Sequence, residues 1–350
     1  MTSPYEPDHS PGGGSGPRQR ARILLSIPPA EVDAFFPPQT REALGALGDV
    51  VEVDPASLAS LEAFGQATAD ARIIVTGWGF PRLTQAHLDL APELAFVVHS
   101  ASSIHGLVSD DFWASGLPIS QSGAAMAPAV AEMSLTFTLS LLRRTQRLDH
   151  AMRSGASWAD ARTISRSREI AGARVGVIGA SRTGRSYIAA CQALGAEVRI
   201  YDPYLDPTDP LAAHAVGLQE LLGTSEVVAV HAPETPETIG MLGAREIAAM
   251  ADGTLFVNTA RSTIVDMDAL YEAVEAGRID AALDVFDVEP LPEQDRWRSL
   301  PGALLTPHLG GATVESRRRG GQIVVDEIRR HLAGEPLQHS LTRVQLERMG

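Results

Sequence analysis

The chain has 350 residues, with 29 basic and 43 acidic side chains and a formal net charge of −14, a balance that repels phosphate backbones and excludes nucleic acid as a first partner. Every basic side chain is an arginine. With no lysine there is no Schiff-base chemistry, no pyridoxal-phosphate enzyme and no P-loop. The single Cys191 excludes an internal disulfide and a four-cysteine metal site, and no metal is expected.

Residues 1–20 are rich in Pro, Gly and Ser, lack the apolar core of a signal peptide and read as a disordered tail. A regular pattern then begins. Residues 22–27 form a short apolar run that stops at Pro28 and predict a strand. A helix over 40–47 follows, then strands over 50–53, 72–75 and 95–99. The last of these leads into Ser100, Ala101, Ser102 and Ser103. Strands alternating with helices imply a parallel sheet covered on both faces. Residues 123–142 are apolar but carry Pro128, Glu132 and several hydroxyls, which predicts a buried helix and no membrane partner. One long helix over 127–152 is expected to carry the chain into a second β/α series.

That series predicts strands at 174–178, 198–201, 227–230, 254–258, 281–285 and 303–305, with helices such as 183–194 and 267–275 between them. Six such strands suggest a doubly wound dinucleotide-binding domain. A last helix, over 314–332, has no place in the second sheet and is expected to return to the first.

Within the second series, Gly179-Ala180-Ser181-Arg182-Thr183-Gly184 joins a strand to a helix, and Asp202 ends the next strand. This is the dinucleotide fingerprint in its strand–turn–helix–strand setting. Gly179 allows the tight turn and Gly184 lets the helix pack on the sheet. Free amides and the positive end of the helix dipole attract the pyrophosphate, and Arg182 adds a charge-assisted contact. Asp202 accepts from the adenosine ribose and repels a 2′-phosphate, which favours NAD. The middle glycine of the pattern is Ser181. Its Cβ pushes the cofactor outward, or its hydroxyl bonds a phosphate.

Three further groups stand just past strand ends, where an open α/β sheet binds ligands. They are Arg261 after Asn258-Thr259-Ala260, Glu289 after Asp284-Val285-Phe286-Asp287-Val288, and His308 in Thr306-Pro307-His308-Leu309-Gly310-Gly311. A histidine titrates near neutrality and suits a proton-transfer role. A carboxylate at Glu289 favours the imidazolium and fixes its tautomer. Arg261 presents a planar, permanently charged fork to a carboxylate. The remaining histidines, among them His87, His150 and His214, read as structural, Cys191 as a core residue, and Arg317, Arg318 and Arg319 as a solvated helix face.

Taken together, residues 22–332 resemble the NAD-dependent D-2-hydroxyacid dehydrogenase family, which includes glycerate, phosphoglycerate, D-lactate and phosphite dehydrogenases. The resemblance implies an α/β fold with a Rossmann cofactor domain over 124–312. A smaller, flavodoxin-like substrate domain would comprise 21–123 and 313–338. It implies that Arg261, Glu289 and His308 are catalytic. It places Gly179, Ser181, Arg182, Thr183, Gly184, Asp202, His231, Ala232, Pro233, Thr238, Thr259, Ala260, Arg261, Asp284, His308 and Gly310 at the NAD cofactor. His231, Ala232, Pro233 and Thr238 resemble the segment under the nicotinamide ribose, and Asp284 matches the aspartate that holds the carboxamide. It also implies a cytoplasmic homodimer joined through the 127–152 region.

The chain departs from the family in two places. The glycine that follows the family's arginine is Ser262 here. The Gly-rich loop that holds the substrate carboxylate is replaced by Ala101, Ser102, Ser103, Ile104 and His105, with both glycines and the aspartate missing. Ala101, Ser102, Ser103 and Arg261 are then the expected substrate contacts for a small anionic substrate, with Trp78 and Phe80 shaping the same pocket. Three functions follow: hydride transfer at C2 of a 2-hydroxy or 2-keto acid, oxidation of a phosphorus oxyanion or phosphonate, and a non-catalytic NAD-sensing interaction protein. The loop's two added hydroxyls point to a non-standard acid or an acceptor-rich oxyanion.

Overall fold

The computed structural model describes residues 20–164 and 166–347, so the tail expected over 1–20 lies outside the described residues except for Arg20. Two parallel sheets organise the chain. The first contains β1 (Arg22–Ser26), β2 (Asp49–Glu52), β3 (Ile73–Thr76), β4 (Phe96–His99) and β5 (Ile119–Gln121), in the order β2-β1-β3-β4-β5. The second contains β6 (Arg174–Ile178), β7 (Glu197–Tyr201), β8 (Val227–Val230), β9 (Leu255–Asn258), β10 (Asp280–Leu283) and β11 (Ala303–Leu305), in the order β11-β10-β9-β8-β6-β7. Every residue of β3, β4, β8, β9 and β10 is buried. This is why these strands read as largely apolar runs, with polar residues only at their ends, and not as alternating ones.

The second sheet is doubly wound around β6, with its switch point between β6 and β8. A further edge strand beyond β7 is reduced to one parallel bridge between Ile200 and Ala215, where the Val216 amide donates to the Ile200 carbonyl at 2.8 Å. β5, which was not foreseen, is only three residues long. Its register is held from outside: the Ser120 hydroxyl donates to Glu327 at 2.5 Å, and Glu327 also accepts the amides of Gln338 at 2.9 Å and His339 at 3.1 Å. Glu327 is buried, and these three donors satisfy it.

The long helix expected over 127–152 is two helices, Ala127–Leu142 and Thr145–Arg153. Arg144 between them has a left-handed backbone, φ 56°. The reason is Asp280, a buried carboxylate at the start of β10. Arg144 and Arg147 both pair with it, and Gln146 donates to it at 3.4 Å. A straight helix would not aim all three side chains at one acceptor, and an unpaired buried charge is costly. The first of the two helices belongs to a stretch, Gly123–Leu142, long and apolar enough to cross a membrane by composition. In the fold, Phe137, Leu141 and Leu142 pack into one core with Val175, Val177, Tyr187, Ile188 and Cys191.

The last long helix, Val314–Ala333, returns to the first sheet. Its Val324, Val325 and Ile328 pack with Ile23, Leu25, Ile73, Val75, Phe96 and Val98. The chain then passes the β5 edge to the opposite face of that sheet: Gln121 donates to the His339 carbonyl at 3.1 Å, and Leu346 enters the core around Leu24, Ile74 and Val97. Arg317, expected on a solvated face, is instead tucked in, with its side chain 13% exposed. It pairs with Glu31 at 2.8 Å and lies over Trp78 and Phe35. Arg319 donates to the Ala125 carbonyl at 2.9 Å. Arg317 thus corrects the solvated-face reading, while Arg318 and Arg319 are exposed as that reading expects; helix periodicity says which residues share a face but not what another segment lays against it.

Candidate active site

The turn after β6 is built by close approach. Gly179 has φ +97°, and a Cβ there would lie 2.5 Å from the amide nitrogen of Ala232. A Cβ on Gly184 would lie 2.1 Å from the Gly179 carbonyl oxygen. Both positions therefore require glycine. The helix that follows, Arg182–Ala193, starts at Ser181 as its N-cap. The Ser181 hydroxyl accepts the Gly184 amide at 3.2 Å and donates to the His231 carbonyl at 2.9 Å. The hydroxyl is thus engaged within the fold at both its donor and an acceptor position. It takes one of the four amides that a helix start leaves open, and those of Arg182 and Thr183 remain for an anion.

Asp202 follows β7. Its carboxylate accepts the Ala180 amide at 2.8 Å and the Tyr204 amide at 2.9 Å, so it is fixed beside the glycine turn. A glycine turn that a Cβ would block, an open helix start and a fixed carboxylate at the neighbouring strand end fit the adenosine and pyrophosphate of a dinucleotide. His231 lies behind the turn. It is buried, its ring tilts against Tyr187 at 4.8 Å, and neither ring nitrogen has a partner among the described residues. Burial pushes its pKa down to about 3, so it stays neutral. Its backbone carbonyl accepts the Ser181 hydroxyl and so ties this strand end to the turn. Ala232 is buried beside Gly179, and Thr238 holds the segment's shape by donating to the Pro233 carbonyl at 2.6 Å.

The three groups at the far strand ends are each held by a local device. After β9, the Asn258 side chain accepts the Ala260 amide at 3.0 Å and donates to the Arg261 carbonyl at 2.9 Å. Thr259 is pinned to Ser134 at 2.7 Å. The Arg261 guanidinium donates to the Ala260 carbonyl at 2.7 Å, which leaves most of its five donors open. After β10, Glu289 accepts the Phe286 amide at 2.9 Å through Oε1. Its other oxygen lies 2.7 Å from Nδ1 of His308.

His308 has φ 53°, a left-handed conformation that costs a residue with a Cβ about 1–3 kcal/mol. Asp284 supplies the constraint. This buried carboxylate accepts the Leu309 amide at 3.0 Å, the Gly310 amide at 2.8 Å and the Thr306 hydroxyl. Its visible task is therefore to clamp the loop that carries His308, a role that motif matching does not reveal. The structure thus gathers Arg261, Glu289, His308 and Asp284 at the C-terminal edge of one sheet.

In the first sheet, the turn after β4 has Ala101 buried and Ser102 and Ser103 exposed. The amide of Ser122, after β5, donates to the Ala101 carbonyl at 3.0 Å and anchors the turn. Below it, His99 is buried, with Nδ1 2.9 Å from the Thr76 hydroxyl, and burial pushes its pKa down to about 4.

With this geometry in place, the likeness to known proteins is informative. The model of the NAD binding domain of D-isomer specific 2-hydroxyacid dehydrogenases matches residues 135–310. The D-3-phosphoglycerate dehydrogenase of Mycobacterium leprae is 34% identical over 251 residues, 71% of this chain and 47% of that protein. The hydroxypyruvate reductase of Thermotoga maritima is 34% identical over 220 residues, 62% of this chain and 71% of that protein. Among solved structures, a phosphoglycerate oxidoreductase from Rhizobium etli is 28% identical with a TM-score of 0.72, covering 91% of this chain and 98% of that one. A D-2-hydroxyisocaproate dehydrogenase, 20% identical, shares the fold with a TM-score of 0.81 over 92% of this chain and 99% of that one. The chain spans about half the length of the mycobacterial relative. The matched domain, the two parallel sheets and the identity shared with the hydroxypyruvate reductase agree: the chain belongs to the D-isomer specific 2-hydroxyacid dehydrogenase family and carries its NAD-binding domain.

Proposed function

We propose that the protein is an NAD-dependent oxidoreductase that moves a hydride between nicotinamide and C2 of a small 2-hydroxy or 2-keto acid. One observation carries this reading: the 2.7 Å contact between His308 Nδ1 and Glu289, on adjacent strand-end loops beside Arg261. A carboxylate only accepts, so Nδ1 carries the proton and Nε2 is left to meet the substrate.

The turn at Gly179–Gly184, with Asp202, would hold the adenosine and pyrophosphate, and the segment at Ala232 and Thr238 with Thr259 and Ala260 would line the nicotinamide end. Bound NAD supplies the hydride acceptor. In the oxidative direction, Nε2 of His308 takes the proton from the substrate hydroxyl, and Glu289 stabilises the imidazolium that forms. In the reductive direction the same nitrogen returns the proton to the carbonyl oxygen. Positioned acid–base groups of this sort contribute about 10²–10⁴ in rate. The Arg261 fork would bind the substrate carboxylate, with the amides and hydroxyls at Ala101, Ser102 and Ser103 as a second set of donors. The His308–Glu289 pair favours turnover over a purely NAD-sensing role.

The same reading makes the protein a cytoplasmic homodimer joined through the 127–152 region. There Met152 is 48% exposed, and Trp158, just beyond, is 71% exposed. Large apolar side chains left open on one arm suit a second copy.

The deciding assay is NADH oxidation over a panel of 2-keto acids, with phosphite and phosphonates in the reverse direction. Turnover of a keto acid is expected. NADH binding with no keto acid reduced would overturn the proposal, and turnover of the phosphorus compounds alone would replace it.

A further inference from the structure

We infer that the protein binds a compact, multiply charged oxyanion of the phosphate type, a free diphosphate or a small molecule carrying two phosphates, in an arginine-lined cavity at the edge of the second sheet opposite the candidate active site. The proposed function makes no use of this cavity, and the inference does not depend on it.

The cavity holds about 650 Å³, within the range of small-molecule sites. Arg174, which opens β6, Glu226, just before β8, and Thr254, just before β9, all line it. These three stand at the N-terminal ends of parallel strands. The dinucleotide turn and His308 stand at the C-terminal ends. The length of β6, about 16 Å from Arg174 to Gly179, separates the two.

The lining inverts the charge of the chain. Arg144, Arg168, Arg174 and Arg199 surround the cavity in a protein of net charge −14. Their ion pairs do not balance. Arg168 and Arg174 share Glu226, Arg144 and Arg147 share Asp280, and Arg199 lies 3.5 Å from Glu220. Five guanidinium groups thus meet three carboxylates, which leaves two positive charges over among the described residues. The other acid of the lining, Asp252, has its own partner in Arg278 at 3.9 Å.

Donors are open as well. Arg174 gives Nε to the Thr224 carbonyl at 2.6 Å, and Arg199 gives Nη1 to the Thr224 hydroxyl at 2.8 Å. The Nη2 groups of Arg168, Arg174 and Arg199 have no partner among the described residues. Ser225 and Thr254, both buried, also line the cavity, and neither hydroxyl has a partner among the described residues. Unmet buried hydroxyls are costly, and an oxyanion offers them acceptors. Guanidinium forks match phosphate oxygens two at a time. No aromatic residue lines the cavity, so a base would find nothing to stack on and the ligand is compact. Two uncompensated charges and a volume that exceeds one phosphate call for two phosphate groups.

The test is calorimetric titration of inorganic diphosphate into the protein at about 0.1 M salt, with NADH saturating so that the dinucleotide turn is occupied. One saturable site with a Kd of about 10–100 μM is expected. Citrate, a multiply charged carboxylate, should bind at least about tenfold more weakly. Fructose 1,6-bisphosphate runs in parallel: binding of either phosphate compound supports the inference, and the tighter one names the source. Arg168→Gln with Arg199→Gln should raise the diphosphate Kd at least about tenfold, and Thr254→Val should raise it about threefold. NADH binding by nicotinamide fluorescence reports that each variant is folded, and the wild-type comparison with citrate decides alone if one is not. Absence of saturable binding by both phosphate compounds, equal binding of citrate, or a diphosphate Kd unchanged in the double variant overturns the inference.

Discussion

His308 holds its imidazole 2.7 Å from Glu289 while its own backbone is left-handed, and Asp284 anchors the two amides that follow it. The acid–base pair is thus strung between two strand ends and clamped from a third position beneath. Replacing His308 with Ala should abolish turnover while NADH still binds, because the cofactor turn lies across the sheet. Stopped-flow binding beside steady-state rates checks this, and lost NADH affinity would put His308 in another role. Glu289→Gln should lower kcat by about 10–100-fold, since the imidazolium that forms during proton transfer loses its counter-charge.

Asp284→Asn replaces an acceptor of three bonds with a group that accepts through one oxygen only. About 1–3 kcal/mol of stability should be lost, with a larger fall in kcat than in NADH affinity. Urea unfolding and a kcat-against-Kd comparison measure the two effects. Unchanged stability would mean that the loop holds its shape without the carboxylate.

Ser181 caps its helix, so Ser181→Ala should cost about 1 kcal/mol of stability and leave the Kd for NADH within about threefold. Equilibrium unfolding and fluorescence titration separate this from a phosphate-binding role, which predicts a clear rise in Kd with little loss of stability.

Asp202→Ala removes the carboxylate beside the glycine turn and frees the Ala180 amide. The NAD-to-NADP preference in kcat/KM should fall by at least about tenfold, as a 2′-phosphate no longer meets a negative charge. An unchanged ratio would mean that the ribose is read elsewhere.

His99 is held neutral, with its pKa pushed from 6.5 to about 4. The unfolded chain therefore binds the proton first, and the native state is favoured fully only above about pH 6.5. As pH falls from there towards 4, stability should drop by up to about 3 kcal/mol from this residue. His231 adds a loss of the same sign that runs on to about pH 3. Chemical denaturation at a series of pH values tests this, and His99→Gln should flatten the slope between pH 6.5 and 4. The same slope in wild type and variant would assign it to other groups.

Much of this was legible in the sequence for a plain reason. β6 and β8 appear at the residues expected, because runs buried on both faces are apolar and are bounded by turns, and β11, half-buried at the sheet edge, is found at its expected residues as well. The spacing of Gly179, Gly184 and Asp202 speaks for the same physics, since a blocked Cβ tolerates only glycine. What the tertiary structure alone decided depends on segments far apart in the chain. The break at Arg144 answers a carboxylate at Asp280. The three-residue β5 exists because Glu327 fastens it, and the burial of Arg317 needs Trp78, Phe35 and Glu31 around it. Asp284 as the clamp of the His308 loop is of the same kind. A linear pattern records which residues avoid water, but a buried charge takes its partners from wherever the fold brings them, and only three dimensions name them.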